Sequence, residues 1–151
     1  MNISAIKKIY IAAKYHSEYG GENVSKYIIS HLNEGRIVIL DLSVGDKKIR
    51  KDLSDKIAKD IFKNNNNIFN KGGNLPNYIF YVEEAHNLIG KDSDLTQIWN
   101  RIAKEGAKFG ISLVYSTQEP SSINSNILSN TENLFVTHIN NEKELRVLND
   151  Y

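Results

Sequence analysis

Short runs of consecutive apolar residues, each broken off by polar ones, alternate in this chain with stretches whose apolar residues fall at helical spacing. Ile37-Val38-Ile39-Leu40 stops at Asp41, and Tyr78-Ile79-Phe80-Tyr81-Val82 stops at Glu83. Ile111 to Ser116 leads into Thr117-Gln118, and Leu134-Phe135-Val136 into Thr137-His138. A β-branched or aromatic run without alternation predicts a strand covered on both faces, as in a parallel sheet. Between the runs, Val24/Ile28/Leu32, Leu53/Ile57/Ile61 and Leu95/Ile98/Trp99/Ile102 predict helices. Ile6, Ile9, Tyr10 and Ala13 predict another near the start, behind a cap at Asn2 or Ser4. Gly35 stands where a helix C-cap is expected. A short helix is expected around Ile123 to Leu128, and the chain stops inside a further helical pattern, KELRVLNDY. Asn64 to Asn77 reads as a solvated loop closed by Pro76. Strands alternating with helices predict an α/β fold, a parallel sheet with helices on both faces. Ligands of such sheets gather at the carboxyl ends of the strands.

The chain has 151 residues, 40% hydrophobic and 25% charged, the profile of one soluble domain or a piece of one. It contains no cysteine, which excludes a disulfide framework, a thiolate zinc site and a thiol nucleophile. No apolar run approaches the roughly 20 residues that cross a bilayer. The N-terminal stretch carries charges throughout, unlike a signal peptide. No membrane partner is therefore expected, and the cytoplasm is the default location. Up to Lys63 there are 12 basic and 8 acidic residues, net +4; beyond it, 7 and 10, net −3. That asymmetry is not the basic stripe of many nucleic-acid modules, so composition is silent on DNA.

Among the residues that follow the strands, Glu83 and Glu84 stand out. Carboxylates at the end of a buried strand are costly unless something binds them. Neighbouring strand residues point in opposite directions, which suits divided work better than a shared proton. One carboxylate can hold magnesium while the next orients an attacking water, the two roles that phosphoryl transfer needs. The same pair also suits the acidic N-terminus of a helix. Gln118 can hydrogen-bond a phosphate oxygen or that water, or be an idle loop amide. His86 reads as a structural histidine, and Asp41 as a residue that caps or holds its loop.

Three blocks carry a resemblance. They are Gly35 to Ser43 (GRIVILDLS), Tyr78 to Leu88 (YIFYVEEAHNL) and Ile102 to Ser121 (IAKEGAKFGISLVYSTQEPS). In order and spacing they resemble the C-terminal half of the HerA/FtsK-type P-loop ATPases, ring-shaped motors that move double-stranded DNA, with HerA the nearer relative. The resemblance covers Gly35 to Leu148. It implies a three-layer RecA-like sheet, with a helical lead-in over residues 1–36 and the C-terminal part of the ATPase core over 37–151. It also implies a hexameric ring of identical subunits that hydrolyses ATP with Mg2+ at subunit interfaces, and a partner nuclease or other effector. Glu83 falls at the Walker B acid that helps hold magnesium, Glu84 at the catalytic glutamate, and Gln118 at the sensor beside the γ-phosphate.

Departures from that pattern are informative. No G-x-x-x-x-G-K-[ST] occurs in the chain, so the phosphate cradle and its lysine are absent. In the family that loop lies upstream, which predicts a fragment that starts after it and that by itself hydrolyses ATP negligibly. After Gly106 the family commonly has an arginine acting on the neighbouring subunit's nucleotide, where Ala107 stands here. Lys108 or Arg101 could supply the charge, although lysine lacks the bidentate fork. His138 stands where relatives often carry arginine. Ala107 leaves open a degenerate ATPase fold that acts as a scaffold or oligomerisation module docking to a partner enzyme. A receiver domain would need clustered acids and a lysine after a late strand, where Thr137-His138 occurs. A metal-dependent nuclease using Glu83 and Glu84 would need accompanying basic residues.

Overall fold

A computed structural model describes residues 24–42, 46–91 and 97–150. The helix expected around Ile6 to Ala13 lies outside these residues, as does Leu95. Helix α1 spans Val24–Asn33 and ends at Gly35, whose φ of 74° is the left-handed cap expected of that glycine. Helix α2 spans Lys47–Asn70, its start capped by Asp46, whose carboxylate accepts from the Lys48 N–H at 2.9 Å.

Helix α2 overruns the loop expected over Asn64 to Asn77. Asparagine is a poor helix former, but Asn65 is fully buried and donates to the carbonyls of Phe109 (2.8 Å) and Pro76 (3.1 Å). Tertiary hydrogen bonds thus override local propensity. The helix ends in a Schellman turn, with Gly73 N–H on the Ile68 carbonyl, Gly72 N–H on Phe69, and Gly72 left-handed.

Two strands follow as expected, β1 over Tyr78–Val82 and β2 over Ile111–Tyr115, paired parallel with Tyr78 opposite Ile111 and Val82 opposite Tyr115. Helix α3, Ile98–Glu105, forms the crossover. Its Trp99 packs edge-on against Phe80, 5.6 Å between centroids, and donates its indole N–H to Asp55 of α2 at 2.7 Å. Gly110, φ 68°, turns the chain into β2; a Cβ there would lie 2.6 Å from the Pro76 carbonyl oxygen. Two short helices complete the fold, α4 over Ser125–Ser129 and α5 over Glu142–Leu148.

The core is one cluster that joins Ile57, Ile61 and Phe62 of α2 to Ile98 and Ile102 of α3 and Ile111 of β2. Tyr78 belongs to it too, its hydroxyl donating to Asn33 Oδ1 at 2.6 Å, and burial raises its pKa above 10.0, so it stays a neutral donor.

Two expected strands are not formed, and the expected parallel sheet with helices on both faces is seen only in part. Among the described residues, helices cover only one face of the sheet. Tyr78, Phe80 and Val82 turn inward, while Ile79 and Tyr81 remain 71% and 63% exposed. The runs Ile37–Leu40 and Leu134–Val136 form no strand: both are irregular, with every residue but Val38 exposed. Each lacks a ladder partner among the described residues, so its backbone polar groups have no reason to leave water. The molecule is a mixed α/β structure with a parallel pair of strands. No helix among the described residues is long and apolar enough to cross a membrane.

Candidate functional site at the carboxyl ends of the strands

Both strands stop on residues that keep their loops side by side. Ser116 N–H donates to the Val82 carbonyl at 3.0 Å, and Ala85 N–H donates to the Ser116 carbonyl at 2.9 Å. The ladder therefore runs past the ends of β1 and β2. Glu83 is exposed at this rim, and Ala85 is fully buried. Between them, Glu84 takes a left-handed backbone (φ 49°, ψ 49°), alone among the described non-glycine residues. That conformation is uncommon for a residue with a Cβ and costs about 1 kcal/mol or more. It turns the chain from β1 into the single 3-10 turn Ala85–Asn87.

Glu84 meets the loop after β2. Gln118 Nε2 donates to its Oε1 at 2.9 Å, and His86 Nδ1 lies 3.5 Å from Oε2. The same His86 nitrogen is 3.1 Å from Thr117 Oγ1, and its Nε2 is 3.2 Å from the Asn87 amide nitrogen. An amide NH2 only donates, so Nε2 accepts and the ring proton sits on Nδ1, facing Thr117 and Glu84. Thr117 Oγ1 in turn accepts from the Glu119 N–H at 3.0 Å. Glu84, His86, Thr117 and Gln118 are thus one hydrogen-bonded group, half open to solvent. The sequence singled out Glu84 and Gln118; Thr117 stood beside them as a polar residue after a strand and as the switch of a receiver domain, and its bond to His86 was not foreseen.

Among the described residues, no three His, Asp or Glu side chains converge into a metal cage. Magnesium needs less, since it takes one or two carboxylates, keeps several waters and accepts phosphate oxygens. The exposed carboxylate of Glu83 is a donor of that type.

Arg101 and Lys108 lie elsewhere, at the end where β2 begins. Arg101 Nε bonds Glu105 Oε1 at 2.8 Å, and its guanidinium sits 4.6 Å from the Phe62 ring centroid. The Lys108 ammonium lies 5.2 Å from the Phe69 centroid and 5.4 Å from that of Phe109. The chain does not bring either cation to Glu84. Asp41 and His138 are exposed, on the two irregular segments.

Beyond Gln118, a 3-10 turn Pro120–Ser122 leads towards α4. Ser121 is buried there against Glu144 of α5: its N–H and its Oγ each donate to one carboxylate oxygen at 2.6 Å. Burial alone would raise the Glu144 pKa. The two Ser121 hydrogen bonds, with Lys143 and Lys91 nearby, outweigh that and hold it below the ordinary 4.5. Nothing in the sequence marked Glu144, an acid in the first turn of a helix.

No family model matches the chain. Among curated proteins it is similar to the DNA double-strand break repair helicase HerA of Sulfurisphaera tokodaii, 32% identical over 113 residues, 72% of this chain and 23% of that protein. The protein of the same description from Sulfolobus acidocaldarius is 47% identical over 60 residues, 38% of this chain and 12% of that one. That of Pyrococcus furiosus is 40% identical over 65 residues, 42% and 12% respectively. The chain is thus HerA-like over part of its length, and the matched residues span less than a quarter of each of these relatives.

Proposed function

We propose that this chain is the C-terminal part of a HerA-like motor ATPase core, and that the intact protein hydrolyses ATP as a hexameric ring to move along double-stranded DNA in repair. The observation that carries the reading is the Gln118–Glu84 hydrogen bond. It joins a carboxylate and an amide, from the ends of two parallel strands, at the rim where such sheets bind nucleotides. HerA-like similarity supports the choice of DNA as track and of helicase-type chemistry.

In this reading Glu83 holds magnesium. The metal, when bound, supplies positive charge to the phosphates. Glu84 accepts a hydrogen bond from the attacking water and draws its proton towards Oε1 or Oε2. Gln118 donates to Glu84 before the nucleotide arrives and is free to turn its amide to the water or the γ-phosphate afterwards. His86 keeps Glu84 aimed from the side opposite Gln118. Arg101 and Lys108, at the far end of the strands, reach no nucleotide held by their own subunit, so any role they have in hydrolysis is exerted on a neighbouring subunit's ATP. The phosphate cradle comes from a P-loop outside this sequence.

The test is Glu84→Gln in a protein that carries this sequence together with a P-loop. ATP turnover should fall by on the order of a hundredfold or more, with magnesium-dependent ATP binding retained. Full turnover in that variant would overturn the assignment.

A second reading is a scaffold that keeps the fold without hydrolysis. Ala107 in place of an arginine, and Arg101 already engaged by Glu105, favour it. Nucleotide titration of the intact protein separates the two, because a scaffold needs no magnesium-dependent binding.

A further inference from the structure

The loop carrying Gln118 is held from two sides. On one side it is stitched to the chain that follows Glu84. Gly90 and Ile123 form an antiparallel bridge, Lys91 N–H donates to the Ser122 carbonyl, and Asn124 N–H donates to Ile89. On the other side a buried carboxylate grips it, Glu144, 6% exposed and the only buried charge among the described residues. A carboxylate withdrawn from water is costly unless strong hydrogen bonds replace its hydration. Both of its oxygens are engaged, and both by one residue, Ser121, through the main chain and the side chain together. That pairing fixes the position of Ser121 and also its rotation, which a single bond would leave free. Between Ser121 and Gln118 stand only Glu119 and Pro120. Proline fixes its own φ and restricts the residue before it, and Ser122 N–H closes back on the Glu119 carbonyl at 2.9 Å. The link from Ser121 back to Gln118 is therefore short and stiff.

We propose that Glu144 is a positioning residue: through Ser121 it sets where the Gln118 amide stands relative to Glu84. This rests on the ATPase reading for its catalytic meaning, but the positioning itself does not. Removal of the Glu144 carboxylate leaves Ser121 free to rotate, and the Gln118 amide then spends less time on Glu84.

Two measurements test this. In the present chain, the side-chain NH2 resonances of Gln118 should be displaced from free-amide values and should collapse towards them in Glu144→Ala. They should be largely restored in Glu144→Gln, whose amide can still accept from Ser121 N–H and donate to its Oγ. Glu142→Ala, an exposed acid on the same helix, is the control and should change nothing. Ser121→Ala, which removes only the hydroxyl, gives an intermediate effect and serves if Glu144→Ala fails to fold. Unchanged Gln118 signals in a folded Glu144→Ala or Ser121→Ala chain would overturn the proposal. In the protein with its P-loop, Glu144→Ala should lower kcat by roughly tenfold to a hundredfold with little change in KM. Displaced Gln118 signals with unaltered kcat would uphold the positioning and count against the ATPase reading instead.

Discussion

The run Tyr78–Val82 becomes a strand with alternate side chains buried, whereas Ile37–Leu40, equally apolar, lies irregular with Ile37 92% and Ile39 88% exposed. Composition does not separate them. Tyr78–Val82 has β2 to complete its ladder and α2 and α3 to cover one face. It also has an anchor at its entrance: Asn65 holds the Pro76 carbonyl just before β1 and the Phe109 carbonyl just before β2. Ile37–Leu40 has no equivalent among the described residues. A hydrophobic run is a strand only where another backbone takes its hydrogen bonds and another surface its side chains.

Substitutions at three positions would break or sharpen that contrast. The largest effect belongs to Ile111→Ala, since Ile111 is the fully buried partner of Tyr78 in the core. It should cost about 2–5 kcal/mol in urea denaturation, and a negligible loss would mean that the covered face is not the core. Next, Asn65→Ala should cost about 1–3 kcal/mol, because two carbonyls lose their donor at once. Asn65→Leu, similar in size, should not restore the loss in thermal melts; full rescue by leucine would show that shape, and not hydrogen bonding, joins the two strand entrances. The smallest effect is expected for Ile39→Ala, within about 0.5 kcal/mol of the unaltered chain. A loss rivalling that of Ile111→Ala would place Ile39 in a core and end the comparison.

Helix positions and the two paired strands were legible because each rests on a local pattern: apolar spacing in α1 to α3, the cap glycine Gly35, and unbroken β-branched or aromatic runs in β1 and β2. The misreadings share a cause. Asn64 to Asn70 looked like loop because propensity is local, whereas the Asn65 amide answers to two carbonyls distant from it, Phe109 being 44 residues away. Ile37–Leu40 and Leu134–Val136 looked like strands because apolarity is visible in sequence, whereas the lack of a pairing neighbour among the described residues is not. At the rim, Glu83, Glu84 and Gln118 were legible from their place after the strands. The Glu144–Ser121 grip was not, since it joins residues 23 apart with no shared motif.

The left-handed turn at Glu84 sets stability and chemistry against each other at one position. Glycine would relax that backbone, and asparagine would tolerate it better than glutamate does. Selection for thermal endurance alone would thus drift away from the carboxylate. Glu84 thus occupies a backbone position that folding alone would fill with another residue type.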